Sequence, residues 1–565
     1  MSSELRVLVI GGVACGPKTA SRLKRLMPDA DITMIEKGDL VSYGACGLPY
    51  YVEGVFNNIK ELTHTPVGVP RTPAFFEKAK GFKTLIRTEA IKIDRENKTV
   101  RVKYLDSGTE EDLPYDKLVL GTGGSPSCPP IPGMDLKNVW FMTHLDDAET
   151  LVKEIESQNL KKAVIVGAGL IGIETAEALI NRGLDVTLIA KYDQIMPKNI
   201  DKDIADFAAV HLEDNDLDLA FEQALTEIKG EQGKVCSVET DKQSLPADLV
   251  VIAIGTRPNA KLAIDAGLEC RGAIVVSEYC QTSDKDIYAG GDCVLNRYVD
   301  KSLGGMMYTP MGSTANKHGR VIANHIAGMP TPFTGTTGTT VVKAFDYAIG
   351  RTGLTEKMAR DLNMDIEVTT WSGADLPNYL PDSRQFIIKM IASRRDRKLL
   401  GVQVAGMGEC VKRLDVAASV IYFGGTLDDI SDIDFAYAPP YGPAIDPLAT
   451  CAHILTNKLD GIAKGISAAK AKELLDKGDA VLLDVRLADE FKLMKLPYDA
   501  IHIPLGALRE KVNELPRDKD ILTVCKVSLR GYEAQRILNA AGFDRVQFIE
   551  GGLDAWPFEM SLLGL

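Results

Sequence analysis

Two stretches of this chain follow one pattern, and that pattern restricts the fold more than any other feature. Arg6 to Ile10 reads RVLVI, an apolar run of the kind that forms a buried parallel strand. GGVACG follows, then helical periodicity from Pro17 to Met27, then ITMIE, which ends at Glu36. The pattern returns between Lys162 and Ala190 as AVIVGAGLIGIETAEALINRGLDVTLIA. Strand, glycine turn, helix and strand make a dinucleotide-binding unit. Its glycines allow the tight turn and let the backbone approach a pyrophosphate held at the helix N-terminus. An acid about 20 residues past the turn binds a ribose hydroxyl, and Glu36 stands at that distance from Gly16. One such turn is a common motif; two in strand–turn–helix context predict two bound nucleotides and electron transfer between them.

The rest of the chain extends this reading. LVLGTGGSP (Leu118 to Pro126) and VVIAIGTRPN (Val250 to Asn259) are each a strand running into a glycine turn. TSDKDIYAGGDC ends a short strand in Gly-Gly-Asp, which puts Asp292 where a carboxylate can hold a cofactor hydroxyl. From about Gly335 to Asn457 strands and helices alternate without a glycine fingerprint. AVLLDVR, AIHIPL and DILTVC then read as three short strands of a separate α/β domain of about 100 residues.

Composition narrows the function. Lys and Arg number 65 against 78 Asp and Glu, a net charge of −13, so there is no basic field for nucleic acid. No apolar run approaches the ~18 residues of a membrane span. MSSELRVLVIGG enters its first strand without a basic region, a long apolar core or a cleavage site, so the cytoplasm is the expected location. The ten cysteines are scattered with no C-x-x-C pair, and neither a metal site nor a disulfide framework is expected.

GGVACG, SYGACGLPYY, GTGGSP, GAGLIGIE, IYAGGDC and YAPPYG together resemble the flavin-dependent disulfide reductases. Within them the chain is similar to the single-cysteine branch of coenzyme A-disulfide reductases and NAD(P)H persulfide or polysulfide reductases. The resemblance covers about residues 5 to 450. The remaining ~100 residues resemble a rhodanese domain, a fusion typical of the persulfide-reducing members. The implied α/β fold has two Rossmann-like domains, an α+β dimerisation domain and a rhodanese-like domain. Residues 1–115 with 281–334 are expected to bind FAD, 116–280 to bind NAD(P)H with its connections, 335–457 to dimerise, 458–465 to link, and 466–565 to form the rhodanese domain.

The resemblance assigns roles residue by residue. FAD falls to Gly11, Gly12, Ala14, Gly16, Glu36, Lys37, Gly123 and Asp292. Val13 stands where the middle fingerprint glycine usually is, and valine there is common in this branch. NADH or NADPH falls to Gly167, Gly169, Gly172 and Lys191. Cys46 is the redox centre. Many relatives carry a second cysteine in this segment, but the partner position here is Ser42, so the second sulfur comes from a substrate or Cys46 cycles through a sulfenic acid. Backbone amides and oxidised flavin are expected to lower the Cys46 pKa. The usual Asn before this cysteine is Ala45 here. Two tyrosines of the partner subunit face the cysteine in the family and correspond to Tyr379 and Tyr437, which makes the expected enzyme a homodimer.

Coenzyme A is a candidate further ligand. Lys18, Arg22 and Arg25 share one helical face, which is either a phosphate-binding stripe or a solvated surface, and Lys80 and Ser42 complete the expected substrate contacts. A family lysine after YAPPY is replaced by Ile445. In the rhodanese part, CKVSLR (Cys525 to Arg530) is the loop whose backbone N–H groups form an anion nest, with Arg530 adding charge and Asp484 and Arg486 bracing the fold. The expected activity is reduction of persulfide, polysulfide or coenzyme A disulfide, coupled to sulfur transfer. The alternatives are an NADH oxidase or peroxidase, and a non-catalytic redox-sensing scaffold.

An NAD-specific unit carries an acid at the end of its second strand, where this chain has Ala190 followed by Lys191. Ala190→Glu is expected to lower the NADPH-to-NADH ratio of kcat/KM, because the new carboxylate faces the 2′-phosphate. An unchanged ratio would remove Ala190 and Lys191 from the nucleotide argument.

Overall fold

The computed structural model describes residues 4–300, 303 and 305–562. It divides into two compact units, residues 1–191 with 223–336, and residues 192–222 with 337–565.

In the first unit a parallel sheet runs in the order Ile287–Ala289, Lys117–Leu120, Arg6–Ile10, Asp31–Ile35, Lys83–Leu85. Val9 lies opposite Met34 on one side and Val119 on the other. Val7 to Ile10 are all buried, as an apolar run covered on both faces requires. The chain returns after residue 280 to add its last strand beside Lys117–Leu120. That return brings the loop carrying Asp292 to the same sheet end as Gly11 and Gly123, the carboxyl end where open α/β sheets bind ligands. The second fingerprint builds a parallel array in the order Asp185–Ile189, Lys162–Val166, Leu249–Ile252, Val139–Trp140. The short ribbon Gly124–Pro126 with Thr256–Pro258 joins the segments that leave the two sheets.

In the second unit an antiparallel sheet runs Thr340–Ala344, Tyr347–Gly353, Leu399–Gly406, Gln385–Ser393, Ile366–Ala374. Helices Cys410–Phe423 and Pro447–Leu459 cover it. Segment 192–222 belongs to this unit through a buried ion cluster. Lys389 Nζ lies 2.9 Å from Asp203, 2.8 Å from Glu356 and 3.4 Å from Asp201. The C-terminal sheet is parallel, in the order Gly465–Ile466, Val546–Ile549, Asp520–Val524, Ala480–Asp484, Ala500–His502.

Residues 458–465, expected as a linker, begin inside the last turn of helix Pro447–Leu459. Lys458, its side chain 9% exposed, pairs with both Glu550 and Glu367, the latter at 3.1 Å. Glu550 also accepts the Thr370 N–H at 3.2 Å, and Ser372 Oγ donates to the Gly551 carbonyl at 2.6 Å. The C-terminal sheet is thus held against strand Ile366–Ala374 by charge and backbone hydrogen bonds. Lys458→Met leaves the buried Glu550 carboxylate without its cation, while Glu367 keeps Arg394, and is expected to cost about 3–5 kcal/mol, read as a lower unfolding midpoint. A variant that melts with the parent protein would show that the cluster contributes nothing net.

Candidate active site

The first fingerprint is a set of close backbone contacts. Gly11 has φ +104°, and a β-carbon there would stand 2.0 Å from the Gly121 carbonyl oxygen. A β-carbon at Gly16 would stand 1.9 Å from the Gly11 carbonyl oxygen, so glycine is required for helix Cys15–Leu26 to lie on its strand. Glu36 accepts the Gly12 N–H at 2.7 Å and the Gly38 N–H at 2.8 Å, which fixes its carboxylate beside the turn. Ala14 caps the helix with no side-chain bond, and nothing lies within 4 Å of a β-carbon placed at Gly123. Asp292 makes no hydrogen bond among the described residues, and burial pushes its carboxyl up to about 6. An unpaired, half-buried carboxylate at the carboxyl end of the sheet fits a ribityl or ribose hydroxyl of FAD. Lys37 pairs with Glu89 at 2.8 Å.

The second fingerprint repeats these contacts. A β-carbon at Gly167 would meet the Ala253 carbonyl oxygen at 2.5 Å, and one at Gly172 the Gly167 oxygen at 2.0 Å. Gly169 caps helix Leu170–Asn181 and has nothing within 4 Å of its missing side chain, which leaves the helix N-terminus open to a pyrophosphate. Lys191 is exposed and, among the described residues, makes no ion pair.

Cys46 sits in the turn Ala45–Gly47 that leads into helix Leu48–Glu53. The turn lies flat on Leu62, since a β-carbon at Gly47 would come within 2.4 Å of Leu62 Cδ2. Ser42, at φ +53°, donates its N–H to the Gly12 carbonyl at 2.7 Å and accepts from Arg71 at 2.9 Å. The cysteine segment is therefore tied directly to the first fingerprint. Cys46 is a free, exposed residue. The chain's own groups raise its pKa, burial first, then the charges of Glu174 and Asp292, so the expected lowering falls to the backbone amides and to oxidised flavin. Glu174 follows the second fingerprint and accepts the Tyr50 hydroxyl at 3.3 Å. Burial pushes its carboxyl up to about 7. Local sequence pattern gives Glu174 no role, because its pairing with Tyr50 spans two distant segments.

The cationic residues gather as well. Arg22 Nε donates to Asn324 Oδ1 at 2.6 Å. Gly319 lets helix Gly312–Ile326 press against Lys18, whose Cβ would lie 2.8 Å from a β-carbon there. Burial and then the charges of Arg320 and Arg25 depress the Arg22 pKa, and no carboxylate offsets them. Arg320 is an addition the sequence did not reveal, since it comes from a helix nearly 300 residues away. Lys80 stands over the Phe75 ring at 5.3 Å.

In the second unit, Tyr379 is 69% and Tyr437 58% exposed. The buried pair Arg413–Asp446, at 3.0 Å, anchors the loop after YAPPYG and leaves Tyr441 and Ile445 facing solvent. Cys525 ends strand Asp520–Val524 and is 1% exposed. Arg530 is gripped by both oxygens of Glu490, at 2.6 and 2.7 Å, and this bond holds the Glu490 carboxyl down at about 2. Glu490 escaped the sequence reading because it lies 40 positions from Arg530. Asp484 and Arg486 form a buried ion pair at 2.7 Å. Gly552, at φ +58°, closes over the loop, where a β-carbon would lie 2.4 Å from the Cys525 carbonyl oxygen. The Leu553 and Asp554 N–H groups donate to the Cys525 and Lys526 carbonyls at 3.0 Å each. Ser528 has φ 81° and ψ −38°, near the rare γ-turn region, at a strain of about 1–3 kcal/mol. Its buried Oγ has no hydrogen-bond partner. Among the described residues no group of three or more His, Cys, Asp or Glu is arranged to hold a metal ion. No helix among them is long and apolar enough to cross a membrane.

Known proteins share this arrangement. The pyridine nucleotide-disulphide oxidoreductase family matches residues 5–316, its dimerisation domain residues 339–449, and the rhodanese-like domain residues 467–558. The NAD(P)H sulfur oxidoreductase (CoA-dependent) of Pyrococcus furiosus is 36% identical over 452 residues, 80% of this chain and 99% of that one. The solved structure of a NAD-dependent persulfide reductase from A. fulgidus superposes with a TM-score of 0.93 at 40% identity, over 98% of this chain and 100% of that one. The reduced CoADR-RHD of Bacillus anthracis superposes with a TM-score of 0.91 at 32% identity, over 98% of each chain.

The charge on Glu174 repels a thiolate at Cys46, and Glu174 itself titrates at about 7. Glu174→Gln is therefore expected to shift the pH midpoint of Cys46 alkylation downward, so that at neutral pH the variant reacts faster. A midpoint that stays in place or rises would show that Glu174 does not govern this thiol.

Proposed function

The chain belongs to the pyridine nucleotide-disulphide oxidoreductases, and on that premise we propose that it reduces the S–S bond of persulfides, polysulfides or coenzyme A disulfide through the single thiol Cys46. The observation that carries this reading is an accessible cysteine tied by the Ser42–Gly12 bond to the FAD fingerprint, with serine at the position of a second cysteine. One thiol cannot close an internal disulfide, so the second sulfur arrives with the substrate.

Bound FAD, loaded by NADH or NADPH, supplies the electron pair that returns sulfur to the thiol state. Gly11, Gly12, Ala14 and Gly16 would hold the flavin nucleotide's pyrophosphate, and Glu36, Gly123 and Asp292 would bind its hydroxyls. Gly167, Gly169 and Gly172 would hold the nicotinamide nucleotide, and Lys191 would serve its 2′ position. The Cys46 thiolate attacks the inner sulfur of a persulfide, its S–S bond breaks, and hydrosulfide leaves as a mixed disulfide forms. Two electrons then restore the Cys46 thiolate and release the thiol. A coenzyme A disulfide follows the same course and releases thiols at both stages.

The exposed Tyr379 and Tyr437 support a homodimer in which the partner subunit's Tyr437 and the partner subunit's Tyr379 lie beside Cys46 and donate a proton to the leaving sulfur. Lys18, Arg22 and Arg25, joined by Arg320, carry positive charge without carboxylates and suit the phosphates of coenzyme A, with Lys80 a further candidate contact. In the C-terminal domain Cys525 takes up sulfane sulfur and passes it to a small thiol carrier, whose persulfide Cys46 then reduces. Free thiols at both centres suit a reducing compartment, and we assign the enzyme to the cytoplasm.

Cys46→Ser is expected to keep bound flavin and lose persulfide reduction; retained turnover would end this mechanism. Cys525→Ser is expected to reduce ready-made coenzyme A persulfide at the parental rate. Its sulfide release from thiosulfate with catalytic coenzyme A should fall by at least about tenfold. Equal losses in both assays would contradict transfer through a free carrier.

A further inference from the structure

Ser528 occupies the position in the Cys525–Arg530 loop where the backbone turns into helix Leu529–Ala540, and it combines two unfavourable features. It is not glycine, yet its φ is 81°. Its hydroxyl is buried, in a residue 6% exposed, and bonds to nothing among the described residues. It does not cap the helix it precedes. Glycine would remove the backbone strain and alanine the orphaned hydroxyl, so the loop retains a serine that its own packing does not use.

The surroundings point to an anion as the missing partner. Arg530 lies in the same loop, held by Glu490 and interacting with the Cys525 sulfur. The Cys525 and Lys526 carbonyls are turned outward to the Leu553 and Asp554 N–H groups, which leaves the loop's inner side to donors. We propose that the Ser528 hydroxyl is a catalytic hydrogen-bond donor to the sulfane sulfur carried on Cys525. The inference rests on the reading of Cys525 as a sulfur carrier. With thiosulfate, the Cys525 thiolate attacks the outer sulfur, the Cys525 S–S bond forms, and the thiosulfate S–S bond breaks. Sulfite leaves with the electron pair. The terminal sulfur then bears the negative charge, and the serine O–H donates to it. Cyanide removes that sulfur as thiocyanate and returns the thiolate.

The test uses full-length holoenzyme with thiosulfate and cyanide, alongside reduction of ready-made coenzyme A persulfide. Ser528→Ala and Ser528→Gly are both expected to lower thiosulfate kcat/KM by about 10- to 100-fold, the range of a hydrogen bond to a charged group. Both should also retain less persulfide on Cys525 by mass spectrometry and leave coenzyme A persulfide reduction unchanged. Ser528→Gly, which relieves the backbone, should melt no lower than the parent. Parental transfer by Ser528→Gly would overturn the proposal, because the loop would then need only its shape. Parental transfer by Cys525→Ser would overturn the carrier reading itself, and the Ser528 role with it.

Discussion

A helix can lie against the strand before it at backbone distance only where no side chain stands between them. Gly16 over the Gly11 carbonyl, and Gly172 over the Gly167 carbonyl, provide that approach twice. A single methyl group at any of these positions would push the helix away and withdraw its N-terminus from the pyrophosphate. The rest of the site is assembled around the first of these contacts. Ser42 bonds to Gly12 and places Cys46, Glu36 is locked by two backbone N–H groups, and the returning strand Ile287–Ala289 brings Asp292 to the same end of the sheet.

The two sulfur centres differ in the way their chemistry requires. Cys46 is accessible, and burial around its sulfur, then the charges of Glu174 and Asp292, raise its pKa. Its reactivity depends on what the cradle binds. Cys525 is enclosed, with a guanidinium held in position by a bidentate carboxylate and a serine whose hydroxyl has no internal partner. The Lys458–Glu550–Glu367 cluster keeps the enclosed loop on a fixed support instead of on a tether.

Short-range pattern made much of this legible in the sequence. The fingerprints, Glu36, Cys46 and the Cys525–Arg530 loop are each defined by residues within one turn or one strand–helix unit. The members that escaped notice are joined over long distances: Arg320 to Arg22, Tyr50 to Glu174, Glu490 to Arg530 and Lys458 to Glu550. No local periodicity signals such pairs. The raising effect of the chain's own carboxylates on Cys46 was hidden for a related reason. Backbone amides can be anticipated from a turn, but the carboxylates of Glu174 and Asp292 reach the thiol only after three separate segments fold together. Lys37, expected at the cofactor from its position, pairs on the surface with Glu89, a partner 52 positions away that the sequence does not signal.

The central claim is that electrons from the nicotinamide nucleotide end on sulfur at Cys46. Anaerobic oxidation of NADH and NADPH, followed side by side with coenzyme A persulfide, polysulfide, coenzyme A disulfide and hydrogen peroxide, tests it most directly. The account predicts that a sulfur substrate supports the highest kcat/KM, and that persulfide yields one sulfide for each nucleotide oxidised. Faster turnover with peroxide, or nucleotide oxidation without sulfide release from persulfide, would contradict it.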